Sequence, residues 1–224
     1  GREDLSVQVH PPEAHAAELG GEPKTEMWYV AAAEPGAKLY AGLSEGVTKE
    51  SFEQAVADGT TADQVHVLEP VAGDFLFIPS GRVHAIGGGF VIFEIQQNSD
   101  TTYRVFDWNR VGLNGQPRDL HVEESLASID FDDHTPGLGD AEGELLVDCE
   151  HFRVKRWNLS PGSGRQCLEP GEVCDVAVVE GGIYYGGEPH GPGDFRLVPA
   201  AAGLEARPMV VSSEGATVLV TTLP

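Results

Sequence analysis

Basic residues are scarce in this chain. Lys and Arg number 14 against 36 Asp and Glu in 224 residues, giving a formal net charge of −22 at neutral pH. So acidic a surface repels phosphate backbones and anionic bilayers, which excludes general affinity for nucleic acid or for a membrane surface. An anionic small molecule needs a local basic pocket, because charges beyond about 8 Å are screened at physiological salt. Cysteine is equally sparse. Cys149, Cys167 and Cys174 are odd in number and fit no metal or disulfide spacing, so Cys167 and Cys174 read as reduced thiols and a cytoplasmic setting is expected. No run is long and apolar enough to span a bilayer as a helix, and no signal-peptide pattern precedes the first strand. Long helical periodicity is missing as well.

Turn chemistry is abundant instead. With 28 Gly and 15 Pro separating short apolar runs, the chain reads as all-β, a sandwich or barrel. Its length suits one large β-domain or two smaller ones. Strands are read at 5–10, 26–32, 37–42, 65–69, 74–78, 90–96 and 103–107, then near 145–148, 152–158, 173–180, 183–186, 194–198 and 217–222. Thr48 caps a helix over 49–57 that carries Phe52 and Val56 on one face and stops at Gly59. A second short helix is read over 121–128. Residues 130–144 are acidic and rich in Gly and Pro, and read as a solvated linker. The expected organisation is therefore a metal-binding domain over 1–129 with a helical insertion near 48–58, a linker over 130–144, and a second sandwich over 145–224.

The metal expectation comes from three places in the first domain. Leu5-Ser6-Val7-Gln8-Val9-His10 alternates strictly, so a half-buried strand turns Leu5, Val7 and Val9 one way and Ser6, Gln8 and His10 the other. In strand phase, Lys24, Glu26 and Trp28 share a face, and a buried carboxylate there needs a partner. His84 follows the turn Pro79-Ser80-Gly81-Arg82. His10, Glu26 and His84 make a two-histidine, one-carboxylate set with Gln8 as a fourth donor, a mixture that borderline divalent metals accept, zinc first. From Glu94 to Arg104 every even position is polar, until turn chemistry near Asn98-Ser99-Asp100 breaks the phase. One such wall suits a polyhydroxylated ligand. Lys24 and Arg104 matter because cations are so few, and arginine's planar fork matches phosphate or an enediolate. His15, His66, His121, His134, His151 and His190 fall outside these patterns and are expected at the surface without a role.

One internal echo links the halves. Ala72-Gly73-Asp74-Phe75-Leu76-Phe77-Ile78-Pro79 resembles Pro192-Gly193-Asp194-Phe195-Arg196-Leu197-Val198-Pro199. The first copy continues to His84 and the second has no matching histidine, so the second half is expected to be a degenerate, metal-free relative of the first.

The wording of the motifs carries a resemblance. Gly73 with Pro79-x-Gly81-x-x-His84, and Gln8-x-His10 followed by Glu26, are similar to the two halves of the cupin pattern, with glutamine where many cupins have histidine. Ser6-Val7-Gln8-Val9-His10-Pro11, Lys24-Thr25-Glu26-Met27-Trp28-Tyr29, Pro79 through Ile86 and Glu94 through Arg104 resemble type I mannose-6-phosphate isomerases (phosphomannose isomerases), in their short bacterial form. Members of that family carry a segment ahead of the Gln-x-His strand that this sequence does not include. The resemblance implies a cupin-type double β-sandwich, or jelly roll, with one or two short helices. It implies one Zn2+ held by Gln8, His10, Glu26 and His84, with Arg104 and Glu94 catalytic and Lys24 and Ser6 against the substrate. The implied partner is a small sugar phosphate, mannose 6-phosphate exchanging with fructose 6-phosphate, handled by a monomer or weak dimer. The other reading is a metal-stabilised cupin module that binds sugar phosphate without turnover. An iron cupin dioxygenase fits less well, given Gln8 in place of histidine and the polar stretch from Glu94 to Arg104.

Overall fold

The computed structural model describes residues 3–111, 115–141, 143–166, 172–200 and 209–224. It divides into two compact units, Gly1–Gly139 and Asp140–Pro224. No helix among the described residues is long and apolar enough to cross a membrane. Cys167 lies outside the described residues.

The first unit contains two antiparallel sheets. One has the order β4-β3-β6-β1-β8, built from β1 (Val7–Val9), β3 (Leu39–Leu43), β4 (Val65–Leu68), β6 (His84–Ile86) and β8 (Tyr103–Phe106). The other is β5-β2-β7, from β2 (Glu26–Ala33), β5 (Phe75–Ile78) and β7 (Phe90–Gln96). Three short helices, α1 (Glu13–Ala16), α2 (Lys49–Asp58) and α3 (Val122–Ser128), and one 3-10 turn, Thr61–Gln64, complete the described part of this unit. Apolar side chains form two cores. One gathers Val7, Val9, Leu43, Phe52, Val83 and Val105; the other gathers Trp28, Val30, Leu39, Leu76, Ile78 and Phe90. Helix α2 forms for the local reasons expected. Thr48 and Ser51 make a reciprocal capping box, Gly59 closes the C-terminus at φ 72°, and Phe52 anchors the helix in the core.

Three expectations need correction here. Strand β1 is shorter than expected and its flanks are more enclosed: Val7 and Val9 are fully buried, Gln8 between them is partly buried, and Ser6 and His10 on either side are buried as well. Its polar face looks into the protein, towards Glu26 and His84. Leu5 sits outside the strand and is 53% exposed. His84 opens β6, a strand not read from the sequence, and pairs with Gln8 on β1 and Ala41 on β3.

The third correction concerns the expected linker. Residues 130–139 pack as part of the first unit. Arg82 donates to Asp133 through Nε (2.7 Å) and Nη2 (2.8 Å), a bidentate pair that holds both side chains to 16% exposure. Leu43 N–H donates to Asp133 O, and Asp130 N–H to Gly81 O. Pro136 lies so close to Gly42 that a Cβ there would meet its Cδ at 2.5 Å, so only glycine allows the approach. Acidic composition suggested solvation, but one aspartate is spent on one of the chain's few arginines.

Among the described residues the strands of the second unit belong to one hydrogen-bonded sheet of order β13-β12-β15-β10-β9, with β11 joined to β15 and β14 to β12. Its strands are β9 (Leu145–Asp148), β10 (Arg153–Leu159), β11 (Gly164–Arg165), β12 (Cys174–Tyr185), β13 (Glu188–His190), β14 (Phe195–Val198) and β15 (Met209–Thr222). Strand β12 runs through the position where two strands were expected, bending at register shifts between Val178 and Glu180 and between Gly181 and Ile183.

The internal echo is structural. Gly73 and Gly193 have φ of 96° and 89°, a left-handed conformation that suits glycine in both turns. Val71 N–H donates to Asp74 Oδ2, and Gly191 N–H to Asp194 Oδ2, at 2.8 Å each. Each turn then docks reciprocally on a strand, at Val30 in one unit and Val178 in the other. The following strands pair in one register: Glu26 opposite Ile78 matches Cys174 opposite Val198, and Trp28 opposite Glu94 matches Val176 opposite Val220. Glu26, Trp28 and Glu94 of the first unit are therefore matched by Cys174, Val176 and Val220 in the second. The position that would match His84 falls outside the described residues.

The Asp133 clamp makes a prediction. In Asp133→Asn the charge-assisted pair is lost and the half-buried Arg82 is left uncompensated, so denaturant unfolding should show a loss of about 2 kcal/mol, between a surface and a buried pair. A solvated linker residue would give no measurable change.

Candidate metal centre

Four strands bring the candidate residues together. Gln8 lies on β1 with His10 just past its end, His84 begins β6, Glu26 begins β2 and Glu94 lies on β7. Cross-strand register sets Gln8 beside both His84 and Arg104, and Trp28 beside Glu94. The period of two along β2 places Glu26 and Trp28 on the same face.

His10, Glu26 and His84 form the cluster. Each is 1% exposed, and one potential ligand atom from each lies within 4.8 Å of the others. His10 Nε2 is 3.1 Å from Glu26 Oε1, and His84 Nε2 is 4.0 Å from Glu26 Oε2. The rings themselves are 4.9 Å apart.

The tautomers follow from the other ring nitrogens. His10 Nδ1 is 2.7 Å from Thr101 O, and His84 Nδ1 is 2.8 Å from Arg82 O. A carbonyl can only accept, so both Nδ1 atoms carry hydrogen, and in a neutral ring Nε2 is then a bare lone pair. Burial pushes the His84 pKa down to about 4, with His10 adding to the effect against the pull of Glu26, so its ring is neutral at pH 7. For Glu26 burial acts to raise the pKa, but His10, His84 and Lys24 outweigh it and hold the carboxyl at about 2. The His84 lone pair, His10 Nε2 and a carboxylate therefore converge in a dry interior. His10 Nε2 faces Glu26 Oε1 at close range without hydrogen-bond geometry and is buried with no hydrogen-bond partner, while Oε1 has the Lys24 ammonium beside it. A cation satisfies all of these atoms at once, and neutral imidazole with carboxylate is a donor set for a borderline divalent metal.

Gln8 adjoins this cluster. Its Nε2 lies 3.3 Å from His84 Nε2, and rotating the amide presents its oxygen there instead. Lys24 is buried too, with Nζ 2.5 Å from Glu26 Oε1 and 3.6 Å from Glu94 Oε1. It is an interior cation between two carboxylates, not one half of a surface pair. Glu94 is about one-third exposed, and burial followed by the charge of Glu26 raises its pKa above the ordinary carboxylate value. Arg104 Nε donates to Ser6 Oγ at 3.2 Å and Nη1 to Asp119 O at 2.9 Å. Ser6, itself buried, thus reaches the site through Arg104 and through Gln8 Oε1 at 3.5 Å.

Some contributors left no mark in the sequence. The carbonyls of Thr101 and Arg82 orient the two rings, and any residue could supply them. Gly81 N–H donates to His10 O, tying one ligand's backbone to the other's turn. Trp28 was placed on the Glu26 face, but its indole N–H donating to Glu26 Oε2 at 3.1 Å was not foreseen. His121, given no role, accepts from Arg104 N–H through Nδ1.

No family model matches the chain. Among curated relatives it is 40% identical over 207 residues to the mannose-6-phosphate isomerase of Streptococcus mutans, covering 87% of this chain and 64% of that one. It is 35% identical over 217 residues to the mannose-6-phosphate isomerase ManA of Bacillus subtilis, covering 90% and 67%. The chain thus spans about two-thirds of the length of these relatives. Its fold matches a crystal structure of mannose 6-phosphate isomerase from Bacillus subtilis with a TM-score of 0.82 and 28% identity, over 100% of this chain and 72% of that one. A zinc-bound mannose 6-phosphate isomerase structure matches with a TM-score of 0.71 at 14% identity, over 99% and 76%, a likeness of fold alone.

The lowered pKa values set a pH dependence. His84 titrates near 6.5 when unfolded and near 4 when folded, so the unfolded chain binds the extra proton in between. Stability of the metal-free protein should be full above about pH 6.5 and fall as the pH drops towards 4, with Glu26 extending the loss below that. Melting temperatures across pH 4–7 should show this slope, and His84→Gln should flatten it. A flat wild-type profile would mean that the His84 ring is not held neutral.

Proposed function

The chain belongs to the mannose-6-phosphate isomerase family, and from that premise we propose that it interconverts mannose 6-phosphate and fructose 6-phosphate. A divalent metal, zinc by the character of the donors, would be held by Gln8, His10, Glu26 and His84. One observation carries this reading: two imidazole nitrogens and a buried carboxylate converge beside a lysine, a glutamate of raised pKa and an arginine.

The reaction moves one hydrogen from C2 to C1 of the open-chain sugar. When bound, the metal supplies Lewis acidity, which favours negative charge on the sugar oxygens. The residues of the chain do the rest. Glu94 takes the proton from C2, the C–H electron pair becomes the C1–C2 double bond and the C1 carbonyl electrons move onto O1, giving an enediolate; the O2 hydroxyl proton passes to O1, and Glu94 returns its proton to C1 as the carbonyl forms at C2. Its raised pKa makes it a better proton acceptor than an ordinary carboxylate. Arg104, braced by Ser6 and Asp119 O, is assigned to the enediolate charge, where a planar guanidinium fits two adjacent oxygens. Lys24 balances Glu26 and Glu94, so that neither carboxylate repels the developing anion with its full charge.

A coupled assay on mannose 6-phosphate with metal-loaded protein tests the reading. Arg104→Ala should lower kcat by about 100-fold or more with KM less affected, as for loss of one transition-state donor. Arg104→Lys should recover little of it, and metal content should stay at the wild-type level. A near-normal kcat in Arg104→Ala, with only a lowered melting temperature, would remove Arg104 from the mechanism.

A further inference from the structure

The two oxygens of the Glu26 carboxylate have different surroundings. Oε1 faces His10 Nε2 at 3.1 Å and Lys24 Nζ at 2.5 Å. Oε2 accepts from the Trp28 indole N–H at 3.1 Å and stands farther from the nearest imidazole nitrogen, 4.0 Å from His84 Nε2. Both residues are 1% exposed, so no bulk water can replace the indole as donor. The indole cannot ligate a cation itself, because its only polar group is a donor.

Its position is also over-determined. Trp28 lies mid-sheet on β2, opposite Leu76 on one side and Glu94 on the other. The ring packs with Val30, Leu39, Leu76, Ile78 and Phe90, and meets the His84 ring edge-on at 5.3 Å and 79°. One side chain thus touches two of the three residues in the cluster. In the second unit the matched strand position is Val176, where the position matched to Glu26 is Cys174 and no carboxylate needs orienting.

We propose that Trp28 is a positioning residue for the centre: by engaging Oε2, it leaves Oε1, the oxygen turned towards His10 Nε2, as the one through which Glu26 binds a divalent cation. Without the N–H, the buried Oε2 has lost its donor and can turn towards the cation, which changes coordination number and weakens binding. The inference rests on the metal reading above.

The test separates the indole N–H from the indole shape. Trp28 is replaced by 3-(benzothiophen-3-yl)alanine, which keeps the two rings and puts sulfur in place of N–H, and in parallel by Trp28→Phe. Cobalt(II) serves as the probe, its dissociation constant measured by chelator competition and its visible spectrum reporting coordination number. Melting curves in chelator identify which variants are folded. In the folded variants the dissociation constant should rise roughly tenfold or more, the range for loss of a group that orients a ligand, and the cobalt bands should weaken and shift as coordination number increases. Wild-type affinity and spectrum in either folded variant would overturn the role of Trp28 and leave the metal reading intact. Failure of the wild-type protein to bind cobalt would overturn the metal reading and the role of Trp28 with it.

Discussion

Two hydrogen bonds govern the chemistry of this interior: His10 Nδ1 to Thr101 O and His84 Nδ1 to Arg82 O. Each commits one nitrogen of a buried ring to a carbonyl and turns the other towards Glu26. Burial keeps His84 neutral, and the surrounding groups keep Glu26 ionised. The outcome is a concentration of acceptors in a place without solvent, which is unfavourable for folding alone and favourable around a cation. Much of the neighbouring structure maintains it. Gly81 N–H ties the backbone of His10 to the turn leading to His84, and Asp133 fixes Arg82, whose carbonyl orients His84.

The comparison between the two units shows how the same framework serves different ends. The Gly-Asp turns, their docking on Val30 and Val178, and the register of the strands that follow agree position by position. In the first unit that framework carries Glu26, Trp28 and Glu94; in the second the same register positions hold Cys174, Val176 and Val220. Among the described residues the His/carboxylate cluster lies in the first unit. Backbone hydrogen bonding sets the architecture, and a few inward-facing positions decide whether it encloses a polar site or an apolar core.

Gln8, His10 and Glu26 were legible in the sequence because strand periodicity puts alternate residues on one face, and polar residues in strand phase stand out there. What periodicity could not say was which face is inside. Leu5, Val7 and Val9 were read as the buried side, yet Ser6 and His10 are buried too and Leu5 is exposed. Strand β6 is three residues long and begins at His84, too short to show alternation, so no strand was read there. Residues 130–139 were misjudged because composition reports average solvation, whereas one bidentate contact between Arg82 and Asp133 decided the outcome. The backbone carbonyls that orient the histidines are invisible to any reading of side chains. Helix α2 was read within a residue of its ends, since its cap, its anchor and its terminating glycine are all local signals.

The central claim is that His10, Glu26 and His84 are arranged for a cation. Elemental analysis of the purified chain after reconstitution with zinc and removal of excess ion tests it most directly. The account predicts about one zinc per chain in the wild type and almost none in Glu26→Gln or His84→Ala variants that remain folded. A folded wild-type protein that retains no zinc, or variants that retain as much as the wild type, would contradict it.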